Sequence, residues 1–445
     1  MKISFSKSRI VLYARSIHSS PIPFPIENHN RLKVALIGDA NSYTQQLAEA
    51  LGATAQVDCF FYGPKKPLRG PTKGSVRFRG FKTYKPTWTE RLYPFQIIRQ
   101  SLRDRPDVLH IDFTITEFSS EYLNMVSFPL LVAVLRLLRL KVVLTIHDVL
   151  SRHVLEELYG EGSLKAKFAH FGLLFYLRFL GLSDAIVVHL NFLRDTLIRE
   201  FFIDPRKIVV VPFGVSIIRP EGHSFAQNGR FNGKKVVLAF GVVAPRKGLE
   251  YVIHGFSLIA SKHPDAILVL AGPRDTRRPE YLDSILAIAR SAIDSRQFSY
   301  AGYLDETSAN SLIFESRVAV LSYLYACATT SILYWVMSYG MPVVASAIET
   351  LLEELKGYDR SLFVGPKDPA EIARALDLVL TDDVVAANAT KYMKTKASFH
   401  SWGLVAQGII NAYWQTPLVH RSAKASLGNG GSARNGRPVK LLGQK

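Results

Sequence analysis

Cysteine is almost absent: two thiols, Cys59 and Cys327, in 445 residues cannot form a disulfide framework. Both lie in apolar stretches and read as buried, inert thiols of a reduced compartment. Also lacking is any apolar run of the roughly 20 residues that a membrane-spanning helix requires. The stretch Val126 to Leu135 contains Pro129 and is closed by Arg136, Arg139 and Lys141, and the run Phe171 to Leu177 ends at Arg178. No Gly-x-Gly-x-x-Gly follows the first predicted strand, where Ile37-Gly-Asp-Ala-Asn-Ser42 stands, and this argues against a dehydrogenase. There is no Asp-x-Asp pair suited to a divalent ion and no spaced His/Cys cluster suited to zinc, so neither a metal nor a cofactor is expected. No nucleic-acid-binding module is recognisable, and no nucleic acid partner is expected.

Acid is scarce where base is dense. The net charge is +18, and the segment Lys65–Arg105 alone has twelve Lys/Arg against Glu90 and Asp104. The tail from Thr416 to Lys445 adds six Lys/Arg and no acid. A basic surface this localised implies an anionic partner. Within the first basic segment Lys65, Lys66, Arg77, Arg79, Lys82 and Lys85 alternate with Phe78, Phe81, Tyr84 and Trp88. Cations interleaved with amphipathic aromatics suit the edge of an anionic membrane. The same composition also suits single-stranded nucleic acid or an ordinary solvated loop.

What is present in quantity is the alternation of short β-branched runs with longer helical patterns, the pattern of parallel sheets built from βαβ units. In the first half the runs are Lys33–Asp39, Val57–Tyr62, Val108–Phe113, Lys141–His147, Ala185–His189 and Ile208–Gly214. In the second they are Lys235–Gly241, Ala266–Gly272, Phe298–Tyr303, Val318–Tyr323, Pro342–Ser346 and Leu362–Gly365. Between the two sets, Ile217–Gly233 is rich in Gly, Asn and Pro and reads as a linker. The prediction is α/β: two Rossmann-like, doubly wound parallel-sheet domains, 32–216 and 234–398, facing a central cleft. Residues 1–31 read as a short surface-bound arm rather than a cleavable leader, and 416–445 as a disordered basic tail.

Two segments carry chemistry. Gly241-Val-Val-Ala-Pro-Arg-Lys-Gly248 joins a buried strand to a helix and sets Arg246 and Lys247 beside a glycine turn, a plausible diphosphate site. Ala328-Thr-Thr-Ser-Ile-Leu333 opens a helix, and free N–H groups with the positive helix end favour phosphate at Thr330 and Ser331. Taken alone, each also fits a solvated loop or an ordinary cap.

The order of these segments, followed by Glu353 and Leu362-Phe-Val-Gly-Pro-Lys-Asp368, resembles the donor-binding half of the family 4 retaining glycosyltransferases. In the first half Thr145-Ile-His-Asp148, Ser183–His189 and Val211-Pro-Phe-Gly-Val215 are similar to the family more loosely. The closing helix, about 400–415, would cross back onto the first domain. The resemblance covers roughly Lys33 to Trp414 and implies the GT-B architecture and a nucleotide-diphosphate sugar donor. It implies a glycan or lipid-linked acceptor, retention at the anomeric carbon, and work on the inner, cytoplasmic face of a membrane in surface-glycan synthesis.

Carried over by position, Gly241, Arg246 and Lys247 would face the diphosphate, Thr330, Ser331 and Ile332 would hold it, and Glu353 would lie near the ribose or sugar. His147 would face the transferred sugar as the catalytic-site histidine. The family's paired glutamates fall on Cys327 and Trp335, neither a carboxylate, so a silent relative that only binds a nucleotide sugar or a partner enzyme is the alternative.

Overall fold

A strand of five or six aliphatic residues without polar alternation must be covered on both faces, and the strands of this chain are. The computed structural model describes residues 31–38, 42–64, 76–81, 93–115, 122–216, 231 and 233–415. The expected N-terminal arm, most of the linker, the basic tail and Lys65, Lys66, Lys82 and Lys85 lie outside them.

The first sheet contains β1 (Leu32–Ile37), β2 (Val57–Pro64), β3 (Arg77–Phe81), β4 (Val108–Phe113), β5 (Lys141–Ile146), β6 (Ala185–Val188) and β7 (Ile208–Val210). All seven are parallel, in the order β3-β2-β1-β4-β5-β6-β7. Side chains alternate between two cores, as a strand's period of two requires. Ala35, Ile37, Leu109, Ile111, Val142 and Leu144 face one core, and Val34, Leu36, Val108 and Val143 face the other. Strand β3 was not anticipated. Its sequence Arg-Phe-Arg-Gly-Phe sits inside the basic stretch and has the composition of a solvated loop; pairing with β2 makes it an edge strand. Arg77 and Arg79 are placed there by their backbone alone.

The second sheet contains β8 (Lys235–Phe240), β9 (Ala266–Ala271), β10 (Phe298–Tyr300), β11 (Ser316–Leu321), β12 (Val343–Ser346) and β13 (Phe363–Val364). Its order is β10-β9-β8-β11-β12-β13, again all parallel. The strand order reverses between β1 and β4 in the first sheet and between β8 and β11 in the second. At such a reversal the loops leaving adjacent strands diverge and open a crevice at their carboxyl ends.

The last described helix, Trp402–Gln415, belongs spatially to the first domain. Its Val405, Ala406, Ile409, Ile410 and Tyr413 complete the core formed by Tyr43, Leu47 and Leu51. Tyr413 is fully buried, and its hydroxyl lies 2.6 Å from His110 Nδ1 on β4. Its carbonyl accepts from the buried Lys141 ammonium on β5. The chain returns through Val215 N–H, which donates to His400 O at 2.7 Å.

Candidate functional site

The loop after β8 turns sharply because Gly241 adopts φ 101°, a conformation open mainly to glycine. A Cβ there would lie 2.5 Å from Lys247 Nζ and 3.3 Å from Ile332. Behind it, Gly272 (φ 141°) presses its Cα against the Gly241 carbonyl, so close that a Cβ would approach to 2.3 Å. Two glycines thus let two loops stack, and the space gained holds the Lys247 ammonium.

Lys247 ends a single 3-10 turn, Pro245–Lys247, and Gly248 follows in the left-handed region at φ 56°. Its side chain is buried, and Nζ donates to Phe240 O at 2.6 Å. Its carbonyl accepts from Ser322 Oγ at 2.6 Å, tying the β8 loop to the β11 loop. Burial, then the neighbouring Arg246 guanidinium, pull its pKa down to about 7, and no carboxylate acts in the opposite sense. The exposed Arg246 stacks over Tyr323, with Cζ 5.2 Å from the ring centroid.

The β11 loop supplies the other wall. Helix Ser331–Ser338 starts at Thr330, which makes no side-chain cap, so its first N–H groups are left for another acceptor. Thr329 Oγ1 is buried without a hydrogen-bond partner among the described residues. Gly241, Arg246, Lys247, Thr330, Ser331 and Ile332 all line one cleft of about 410 Å³, with Trp335 and Tyr323. Six of the residues expected at a diphosphate are therefore brought together at the reversal point of the second sheet. Two cations, an uncapped helix start and an orphaned hydroxyl converge there, an arrangement complementary to a diphosphate.

Two further candidate residues are engaged outside the cleft in this arrangement. The Glu353 carboxylate leaves the cleft and caps a first-domain helix, Asn191–Arg199. It accepts from Asn191 N at 2.7 Å, Asn191 Nδ2 at 2.8 Å and Phe192 N at 2.8 Å. An anion at a helix N-terminus satisfies orphan donors and the dipole together, which is why it settles there. The His147 ring is held within the first domain: Nε2 pairs with Asp112 Oδ1, and Nδ1 meets His189 Nε2 at 3.1 Å.

The proton positions around His147 follow from its neighbours. His189 Nδ1 lies 2.9 Å from the Val211 carbonyl, so it donates, and its Nε2 must accept from His147 Nδ1–H. Burial, then the His147 charge, lower the His189 pKa to about 3, so it stays neutral. Asp112 also accepts from the Thr44 hydroxyl. Burial opposes its ionisation, but His147 and that hydroxyl outweigh it and hold its carboxyl below the usual range. His147 is thus held between the Asp112 carboxylate and a neutral imidazole, with both ring nitrogens engaged. Sequence reasoning missed this chain. The signal was His110-Ile-Asp112 on β4, with His147 and His189 just past the ends of β5 and β6.

The main chain of His147 instead meets the second domain. Thr329 N donates to His147 O at 3.2 Å, Val149 N donates to Cys327 O at 2.8 Å, and Asp148 pairs with Ala328 as an antiparallel bridge. Cys327 is buried, its thiol pushed up to about 11 by burial. Trp335 Nε1 donates to Asn310 Oδ1 at 2.8 Å. Among the described residues there is no group of three His, Cys, Asp or Glu placed to hold a metal, and no helix long and apolar enough to cross a membrane.

Comparison with known proteins agrees with the fold. Residues 221–397 match the model of glycosyl transferases group 1, and residues 40–219 match that of glycosyltransferase family 4. An uncharacterized glycosyltransferase of Methanocaldococcus jannaschii is 28% identical over 209 residues, covering 45% of this chain and 50% of that protein. The serotype-specific mannosyltransferase WbdA of Escherichia coli is 24% identical over 202 residues, 45% of this chain and 24% of that protein. The chain spans half or less of the length of these curated relatives. Sucrose-phosphate synthase from Thermosynechococcus elongatus superposes with a TM-score of 0.65 at 18% identity, over 86% of this chain and 99% of that one. Anabaena HepE in complex with UDP and glucose gives 0.65 at 13% identity, over 86% and 99%. With one family model matched on each domain, and both sheets in the arrangement of those structures, the chain belongs to the group 1 glycosyltransferases of GT-B fold.

Proposed function

We propose that the chain transfers a hexosyl group from a nucleoside-diphosphate sugar to a glycan or lipid-linked acceptor, with retention and without a metal, in surface-polysaccharide or glycoconjugate synthesis. One observation carries this reading: a buried ammonium at the reversal point of the second sheet, with a carbonyl but no carboxylate to balance it. An unpaired buried charge costs several kcal/mol, and an incoming diphosphate would relieve that cost. As the glycosyl bond breaks, negative charge develops on the leaving phosphate. Lys247, Arg246 and the N–H groups at Thr330–Ser331 stand ready to stabilise it without reorganising. The mannosyltransferase among the relatives, and the UDP and glucose bound by HepE, support a nucleotide-sugar donor.

A second reading, a silent relative that binds donor without turnover, is favoured by Cys327 and Trp335 in the glutamate positions. The Asp148–Ala328 bridge, which joins the domains beside them, points the same way. A panel of nucleotide sugars, with released nucleoside diphosphate followed by mass spectrometry, separates the two. We expect one donor to yield nucleoside diphosphate in the wild type and none to do so in Lys247→Ala. Binding without release would support the silent relative, and neither binding nor release would overturn both.

A further inference from the structure

Helix Leu164–Leu180 is apolar on two opposite faces. Leu173, Tyr176, Leu177 and Leu180 are buried in the first-domain core. On the other side, at helical spacing, Leu164, Phe168, Phe171 and Phe175 point outward, the three phenylalanines 74%, 67% and 64% exposed. A helix apolar all round is ordinarily covered all round, so this outer stripe lacks its occupant.

The stripe continues sideways. Helix Leu164–Leu180 packs against Tyr122–Leu137, which packs against Tyr93–Asp104, and all three cover the same core. Leu130 and Leu137 stand exposed on the middle helix, and Phe95 and Leu102 on the third. Beside the phenylalanines, Phe171, Phe175, Arg178 and Phe202 frame a shallow groove of about 360 Å³.

Charge decides what covers this face. The three helices carry one acid, Asp104, against Arg99, Arg103, Arg136, Lys165, Lys167 and Arg178. Asp104 accepts from Gln100 at 2.7 Å, Arg136 pairs with Asp184 at 2.8 Å, and Arg178 donates to Phe202 O at 3.0 Å. Arg99, Arg103, Lys165 and Lys167 make no ion pair among the described residues. Three helices that expose aromatic and aliphatic side chains, carry several cations and hold a single acid between them are complementary to an anionic bilayer. Glu161 before Leu164 and Glu200, 4.0 Å from His170, are acids flanking helix Leu164–Leu180. The rings enter the interface and the long cationic side chains reach the headgroups.

We infer that the first domain docks on anionic membrane through this three-helix face, with Phe168, Phe171 and Phe175 as the inserted side chains. Docking this way is independent of the transferase reading, because lipid binding and nucleotide binding use different domains and are measured separately.

The full chain is sedimented with vesicles of phosphatidylcholine alone and with vesicles that also contain phosphatidylglycerol. Binding is expected only to the second kind. Replacing Phe171→Ser and Phe175→Ser should weaken it by about tenfold per side chain. Lys165→Glu with Lys167→Glu should also weaken it. Val384→Ser, an equally exposed side chain on the second domain, should change nothing. All changed side chains are exposed, so the thermal midpoints should match the wild type. Three results would each overturn the inference: no binding to either vesicle, binding unaffected by the phenylalanine changes, or concentration-dependent self-association lost in the double variant while vesicles are ignored. The last would assign the face to a second copy of the chain.

Discussion

At the scale of the residue, Lys247 shows how far a few contacts can move a charge. Its ammonium is buried, bonded to one carbonyl and repelled by Arg246, and its pKa falls from 10.5 to about 7. Between those values the unfolded chain holds a proton that the folded chain has released. Stability of the free protein therefore rises with pH across that window, and the contribution disappears below pH 7. The slope is at most one proton, about 1.4 kcal/mol per pH unit. Urea unfolding at pH 7.5 and 9.5, chosen within that window, should show this gain in the wild type and not in Lys247→Met. An equal gain in both would refute the shift. Gly241 and Gly272 matter for the same reason, since a methyl group on either would fill the space that the ammonium or its backing loop occupies.

At the scale of the element, the sequence reveals strands better than the places where they stop. Nearly continuous aliphatic runs identified twelve of the parallel strands, because burial on both faces leaves no other use for them. Several of those runs were read a residue or more too long, through His147, His189, Gly241 and Gly272. These are the points where the chain leaves the sheet to build its cleft-side loops. Strand β3 was missed because hydrogen bonds to β2, and not apolar composition, hold it. The residues that line the second-domain cleft were legible because glycine, cation and helix start are adjacent in the chain. The partners of Glu353 and His147, namely Asn191, Asp112 and His189, were not legible because they are distant in sequence.

The closing helix Trp402–Gln415 was legible as a unit, and its packing makes a prediction. Ile409 is fully buried among first-domain side chains. Ile409→Ala should destabilise the first domain by about 2–5 kcal/mol. In denaturant unfolding followed by hydrogen exchange, protection should fall in β1, β4 and β5 and persist in β8 and β9. A loss confined to the second domain would contradict the packing.

At the scale of the molecule, the two domains meet through main chain, a carboxylate and stacked rings, the Phe213 and Tyr334 centroids lying 4.5 Å apart. The Asp148–Ala328 bridge, the Thr329–His147 hydrogen bond and the Glu353 cap all span the seam. The His147 ring is engaged within the first domain by Asp112 and His189, while Arg246 and Lys247 in the second-domain cleft have no carboxylate partner among the described residues. On the proposed reading, donor binding is a property of the second domain's cleft and centres on Lys247. The most direct test is calorimetric titration of the full chain with nucleoside diphosphates and their sugars. One nucleoside diphosphate should bind, and Lys247→Ala should weaken it by about ten- to a hundredfold, the worth of a charge-assisted hydrogen bond. Binding of equal strength in Lys247→Ala, or no binding by any nucleoside diphosphate, would contradict the assignment of this cleft.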